Sequence, residues 1–150
     1  MKATFGAGCF WHVEELLSKT KGVISTQVGY IGGQLPNPTY EEVCTDKTGH
    51  AEAVEVEYDP DEISFEKLLD VFWNNHNPTT LNRQGPDVGI QYRSAIFYHN
   101  DQQKEVAEKS KQLLDESTQY DHPVVTQIIP APIFYPAEEY HQKYFKKHGL

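Results

Sequence analysis

Hydrophobic positions recur along this chain in two rhythms, every second residue and every third to fourth. Residues 2–7 read as a short strand. From 9 to 19 the apolar positions Cys9, Val13, Leu16 and Leu17 fall at helical spacing, and Lys19, Lys21 and Gly22 suit the helix end. Val23–Ile31 returns to alternation, with Ile24, Thr26, Val28 and Tyr30 on one face. Residues 53–58 alternate most cleanly, Val54, Val56 and Tyr58 against Glu55 and Glu57. Ser64 suits the cap of a helix whose inner face is Phe65, Leu68, Leu69 and Phe72. Ala95–Tyr98 reads as a strand, and Asn100 or Asp101 caps a polar helix with the stripe Val106, Ala107, Ser110, Leu113 and Leu114. A strand is predicted over 124–129. A last helix, with Pro136 in its first turn, carries Tyr140, Tyr144 and Phe145. Residues 32–46 and 77–91 are rich in turn formers and read as long loops, a length at which loops are often functional.

The order is β-α-β, loop, β-α-β, then α-β-α. Two successive βαβ halves resemble the split ferredoxin-like arrangement, so the expected fold is a two-layer α+β domain with a mixed sheet and extra C-terminal helices. At 150 residues the chain holds one domain, 1–150, and not two. Its 38% apolar content is that of a globular protein. The net charge of −9 excludes a general attraction to nucleic acid or to anionic membranes. No apolar run approaches the roughly 18–20 residues of a membrane span. The small residues before Cys9 superficially suit a lipoprotein signal, but Gly6, Ala7 and Gly8 leave no hydrophobic region for one. A cytoplasmic location is expected. Two cysteines, Cys9 and Cys44, make no disulfide scaffold, which leaves burial or thiol chemistry.

Cys9 follows Gly6 and Gly8 and stands where a helix begins. Peptide dipoles there lower a thiol pKa and favour the thiolate nucleophile; the plainer alternative is a buried structural cysteine. Phe10 and Trp11 point in different directions on a helix, so one is core and the other satellite packing, or together they wall an apolar slot beside the thiol. His12 reads as surface. Counting the alternation back from Val54 puts Glu52 on the apolar face, where desolvation raises a carboxyl pKa and leaves a proton to donate. The alternative is a solvated Glu52 ahead of the buried strand. Cys9, Cys44 and His50 lack zinc-ligand spacing, so no metal is expected. Asp87, Tyr92 and Arg93 close the second loop just before a strand, with Tyr92 packed at the sheet edge as the plainer alternative.

Gly-Cys-Phe-Trp at 8–11 resembles the active-site signature of the peptide methionine sulfoxide reductase A family. The similarity continues through Gly29-Tyr30-Ile31-Gly32-Gly33, Pro36-Asn37-Pro38-Thr39-Tyr40, Thr48-Gly49-His50-Ala51-Glu52, Phe72-Trp73-Asn74-Asn75-His76-Asn77-Pro78, Arg83-Gln84-Gly85-Pro86-Asp87 and Gln91-Tyr92-Arg93-Ser94-Ala95. A weaker echo lies in Pro136-Ala137-Glu138-Glu139-Tyr140-His141-Gln142. The resemblance implies repair of oxidised proteins by reduction of methionine-S-sulfoxide, free or in proteins, to methionine. It implies that Cys9 attacks the sulfoxide sulfur and becomes a sulfenic acid. Glu52 then protonates or hydrogen-bonds the sulfoxide oxygen, Tyr40 and Tyr92 hold that oxygen, Phe10 and Trp11 line the S-methyl pocket, and Asp87 belongs to the same site.

The resemblance further implies no cofactor and an external thiol reductant: thioredoxin, glutaredoxin or a small thiol. The expected partners are oxidised proteins or free methionine sulfoxide and a thiol reductant protein, the chain itself being a monomer. Two departures stand out. His12 replaces the family's usual Gly, and residues 146–150 bring no cysteine beyond Cys44. Either an external thiol meets the sulfenic acid, or Cys44 resolves it, or a longer tail does; Cys44 as a buried hydrophobe is the plainer alternative. Two competing functions remain at this stage, a thiol peroxidase and a non-catalytic module for oxidised or methionine-rich peptides.

Overall fold

The structure, a computed structural model, describes residues 1–148. In chain order it holds β1 (Lys2–Gly6), α1 (Phe10–Ser18), β2 (Val23–Ile31), a one-turn α2 (Tyr40–Val43), β3 (Ala51–Tyr58) and α3 (Phe65–Asn74). The two-residue strands β4 (Arg83–Gln84) and β5 (Asp87–Val88) follow, then β6 (Ala95–Tyr98), α4 (Asp101–Glu116), β7 (Gln127–Pro130), β8 (Tyr135–Pro136) and α5 (Tyr144–Lys147). Short 3-10 turns occur at Ile90–Tyr92 and Glu139–His141.

Six strands form one sheet in the order β7-β6-β1-β3-β2-β8. Its inner four, β6-β1-β3-β2, are antiparallel and joined by α1 and α3, which is the split βαβ arrangement expected. The α4 crossover brings β7 parallel to β6 and makes the sheet mixed. The main core lies between the sheet and its helices, around Phe5, Phe10, Val28, Val54, Leu69 and Phe72. The other sheet face carries smaller side chains, Ile31, Ala51, Ala53 and Ala95 with Phe97. Ile129, Ala131 and Phe134 of the C-terminal segment pack on it.

Local chemistry explains the element ends. Ser64 Oγ accepts the Lys67 N–H at the start of α3, and Asn100, not Asp101, caps α4 by accepting the Gln103 N–H. Several expectations need correction. A β-bulge between Val23 and Ser25 inserts one residue and turns Ile24 outward, 68% exposed, while Thr26, Val28 and Tyr30 keep the inner face. Leu113 is exposed because α4 rests on α3, β6 and β7 along the row Gln103, Ala107 and Ser110. The predicted strand at 124–129 is shifted to Gln127–Pro130.

Pro136 starts no helix. It pairs with Gly29 in the edge strand β8, a place that tolerates the missing N–H, and helix returns only at Tyr144. The tail cited for its lack of cysteine ends in Gly149 and Leu150, which lie outside the described residues.

The C-terminal segment is tied down by side chains. Gln142 accepts from Val28 N and donates to Val28 O and Ala137 O, each at 2.9–3.0 Å, imitating a strand partner. Glu14 is 2% exposed and accepts from Lys143 N at 2.6 Å and Thr26 Oγ1 at 3.0 Å, joining α1 to β2 and the tail. Among the described residues no helix is long and apolar enough to cross a membrane.

Candidate active site

β1 delivers the chain to a turn at Gly8, whose φ of +90° suits glycine and whose Cβ would press within 2.9 Å of the Gln84 side chain. Cys9, predicted as the first position of the helical stripe, is instead the N-cap one place before α1, and it is half-buried. Burial is the largest influence on its thiol and raises the pKa. The Trp11 and His12 N–H groups at the helix start lower it, Glu52 and Asp87 raise it again, and the thiol ends pushed up to about 11. The expected lowering is therefore overturned: two amides at a helix end do not offset desolvation beside two carboxyl groups.

Glu52 is the second residue of β3, opposite Tyr30 on β2, and faces the helix-covered side as the alternation predicted. It is 1% exposed. Oε1 accepts the Phe10 N–H at 3.3 Å, while Oε2 has no partner among the described residues. Burial pushes the carboxyl up to about 8; the Phe10 N–H opposes this and Asp87 adds to it. At neutral pH the group is mostly protonated. With Oε1 engaged as an acceptor, the proton belongs on Oε2.

The two long loops bring the remaining groups. Thr39 and Glu42 form a capping box that starts α2 and places Tyr40 at its first position. The Tyr40 hydroxyl lies beside the Cys44 thiol. Burial, then Cys44, then Glu52 push its pKa far above the usual tyrosine range. Tyr92 ends the 3-10 turn, pushed up to about 12 by burial and then by Glu52, Cys44, Asp87 and Cys9. Asp87, half-buried in β5, contributes to the fields at Cys9, Glu52 and Tyr92. The structure thus gathers Cys9, Glu52, Tyr40, Tyr92 and Asp87. Cys44 joins their edge as an exposed residue, against the buried alternative, its pKa raised by desolvation more than the Tyr40 hydrogen bond lowers it.

Phe10 and Trp11 do divide as consecutive helix residues must. Phe10 is 1% exposed, its ring 5.8 Å from Tyr30 and 5.3 Å from His141. Trp11 is half-buried, stacked on Tyr144 at 3.8 Å and 9°. His12 is exposed, 5.0 Å from the Phe145 ring. His50 spends both ring nitrogens on backbone, accepting from Gly33 N and donating to Leu35 O. Arg93 is likewise structural, donating to Gln127 Oε1 and Ile90 O.

Sequence reasoning missed Tyr30, Glu138 and His141. One carboxylate, Glu138, accepts from the Tyr30 hydroxyl at 2.9 Å and the Tyr40 N–H at 3.0 Å, bracing two walls at once. Its pKa is lowered: burial would raise it, but the hydrogen bonds to its carboxylate prevail. His141 accepts the Trp11 indole N–H at 3.0 Å. Both lie in the segment 136–142, where the weak family echo was the one available signal.

The comparisons with known proteins show the family and the fold. The family model for peptide methionine sulfoxide reductase matches residues 1–150. The peptide methionine sulfoxide reductase MsrA of Methanothermobacter thermautotrophicus is 62% identical over 146 residues, 97% of this chain and 86% of that relative. Reduced Mxr1 from Saccharomyces cerevisiae superposes with a TM-score of 0.93 at 36% identity, covering 100% of this chain and 86% of that one. Mxr1 in complex with Trx2 gives a TM-score of 0.68 at 25% identity, over 96% and 84% of the two chains. The chain belongs to the peptide methionine sulfoxide reductase family.

Proposed function

We propose that Cys9 and Glu52 are the nucleophile and the proton donor in the reduction of methionine-S-sulfoxide to methionine, the activity of this family. The observation that carries the assignment is the unpartnered Oε2 of a buried Glu52 in the same site as a half-buried thiol. A sulfoxide oxygen leaves sulfur only once it is protonated. Cys9 sulfur attacks the sulfoxide sulfur while Glu52 passes its proton to the oxygen and regains one from the thiol. The S–S bond so formed then breaks as the hydroxyl passes from the substrate sulfur to Cys9 sulfur, leaving a sulfenic acid on Cys9 and releasing methionine; Cys9 sulfur is oxidised by two electrons and methionine sulfur reduced by two. While Glu52 is neutral, its charge no longer opposes the thiolate.

Tyr40 and Tyr92, held neutral by their raised pKa values, donate hydrogen bonds to the same oxygen. Trp11 walls the methyl group, Phe10 backs that wall from the core, and Asp87 keeps the Glu52 proton in place by its own charge. An external thiol condenses with the sulfenic acid, releasing water. A second thiol then frees Cys9 as the donor pair becomes a disulfide. A thioredoxin-like protein suits this role, as Mxr1 is seen with Trx2; a glutaredoxin or a small thiol meets the same chemistry. A reducing cytoplasm fits the cycle, performed by the 1–150 unit as a monomer.

The test is a single turnover without reductant. One methionine per Cys9 thiol and an oxygen or disulfide on Cys9 are expected; methionine formed with Cys9 untouched refutes the assignment. With dithiothreitol as reductant, faster turnover of hydrogen peroxide than of the sulfoxide would favour the peroxidase, and tight binding without methionine the non-catalytic module.

A further inference from the structure

Gln84 ends β4 and is half-buried, and the two parts of its side chain have separate contacts. The stem lies over Gly8, where an added Cβ would press within 2.9 Å of both Gln84 Cβ and Cγ. Gly8 is buried and directly precedes Cys9. The amide reaches the other way. Oε1 accepts the Asn77 N–H at 2.9 Å and Nε2 donates to Asn77 O at 2.5 Å, so one side chain engages both backbone groups of one residue as a strand neighbour would. Asn77 is a firm anchor, because the residues on either side of it are tied down. His76 bonds Phe72 O at 2.6 Å and Ser94 Oγ at 2.7 Å, and Pro78 O accepts from Val125 N at 2.8 Å.

The β4–β5 hairpin has two residue pairs, Arg83 with Val88 and Gln84 with Asp87. So short a ribbon has no stability of its own, and its place is set by what it is tied to. Its base is held where Gly89 N donates to Asn82 O and Ile90 N donates to Asp46 Oδ1. Its tip is held by Gln84. Residues directly opposite in an antiparallel pair present their side chains on one face, so Asp87 shares the face on which the Gln84 stem meets Gly8. That face looks toward the reacting groups. Asp87 is the charged group whose field reaches the Glu52 carboxyl. Cys9, Tyr30, Tyr40, Cys44 and Tyr92 also surround Glu52 and are neutral at pH 7, and Glu138 is engaged by Tyr30 and Tyr40. We infer that Gln84 is the positioning residue for Asp87: clamped between Gly8 and Asn77, it fixes the tip of the hairpin and so the approach of the Asp87 carboxylate to Glu52, without touching the reacting atoms. The inference rests on the reading of Asp87 as the charge that keeps the Glu52 proton in place.

The experiment records single-turnover methionine formation against pH for the parent, Glu52→Gln, Asp87→Asn, Gln84→Met and the double variant Gln84→Met/Asp87→Asn. Met keeps a stem over Gly8 and has no amide. Loss of the Asp87 charge lets Glu52 ionise more easily, so the fall in rate centred near pH 8 in the parent should move to lower pH, by about one unit in Asp87→Asn. Gln84→Met is expected to move it the same way by about half as much, and to add nothing in the double variant. A residue that served the fold alone would lower Tm and leave the position of this limb where it is. If Gln84→Met does not fold, Gln84→Leu, which also covers Gly8 without an amide, serves instead. A limb unmoved in Gln84→Met but moved in Asp87→Asn overturns the inference and leaves the reading of Asp87 standing. A further shift in the double variant overturns it as well, because Gln84 would then act through another group. No shift in Asp87→Asn removes the reading of Asp87 and the inference with it. A limb that persists in Glu52→Gln belongs to another group and removes the acid assignment itself, an outcome separate from the other three.

Discussion

Two carboxylates, Glu14 and Glu52, are almost equally buried on the helix-covered side of this domain, yet their surroundings prepare them for opposite tasks. Glu14, between α1, β2 and the C-terminal segment, has each oxygen matched to a donor, Lys143 N and Thr26 Oγ1. Glu52, at the head of β3, has one oxygen matched to Phe10 N and one matched to nothing among the described residues. A buried carboxyl group with each oxygen matched to a donor is a strut between the elements it joins. One left half satisfied holds its proton, which makes it an acid at neutral pH. Burial alone does not separate the two; the count of donors does.

The comparison is broken most severely by removing the reaction. Cys9→Ser is expected to lower single-turnover methionine formation at least about a thousandfold, since a hydroxyl is not activated by this site; retained activity would leave Glu52 with no thiol to serve. Next in size, Glu52→Gln is expected to slow the plateau rate about a hundred- to ten-thousandfold with little change in the half-saturating concentration. An unchanged plateau would make Glu52 a strut like Glu14.

How much of this was legible in the sequence follows the same division. The inward direction of Glu52 could be counted back from Val54 and Val56, because alternation holds along an unbroken strand. The same count failed at Ile24, where a bulge adds a residue that no local pattern announces. Nothing in the local sequence marks Glu14 as buried, for its partner at Lys143 lies 129 positions away. Pro136 looked like a helix start because its other use, pairing at an open sheet edge, depends on β2. The Cys9 pKa was read in the wrong direction because helix ends are visible in a sequence and desolvation is not.

The pH response sharpens the contrast. In the parent, the single-turnover rate is expected to fall as pH rises through about 8, where Glu52 loses its proton. In Glu52→Gln the residual rate is expected instead to rise with pH as the Cys9 thiol ionises. Parallel profiles would deny Glu52 the acid role. Stability has its own sign. The Glu52 pKa is raised from 4.5 in the unfolded chain to about 8 in the folded one. The folded state therefore binds the proton more tightly, and that contribution is complete below about pH 4.5 and lost as pH rises to about 8. Relative to the parent, Glu52→Gln should gain stability across that window by up to roughly 1.4 kcal/mol per pH unit, measured by denaturant unfolding.

At the strut, smaller effects on rate and a plain loss of stability are expected. Glu14→Ala strands the Lys143 N–H and the Thr26 hydroxyl, which should cost about 2–3 kcal/mol and lower Tm by roughly 5–10 °C. The plateau rate should stay within about tenfold of the parent. A loss of rate as deep as that in Glu52→Gln would erase the distinction between strut and acid.

The smallest expected effect concerns the second thiol, and it decides how the oxidised acid site is emptied. Cys44 is exposed and lies beside the Tyr40 hydroxyl, while Cys9 is half-buried and feels the fields of Glu52 and Asp87. A sulfenic acid in that position can be met from outside by a small or protein thiol, so Cys44→Ser should change dithiothreitol-supported turnover by no more than about twofold. Mass spectrometry after one equivalent of sulfoxide, with no reductant, separates the two routes. An oxygen added to Cys9 means that the acid site waits for an external donor. Loss of two hydrogens means a Cys9–Cys44 disulfide, formed with release of water. In that case Cys44→Ser would stall at the sulfenic acid with a protein reductant, and the α2 loop would carry a share of the chemistry now assigned to the neighbourhood of Glu52.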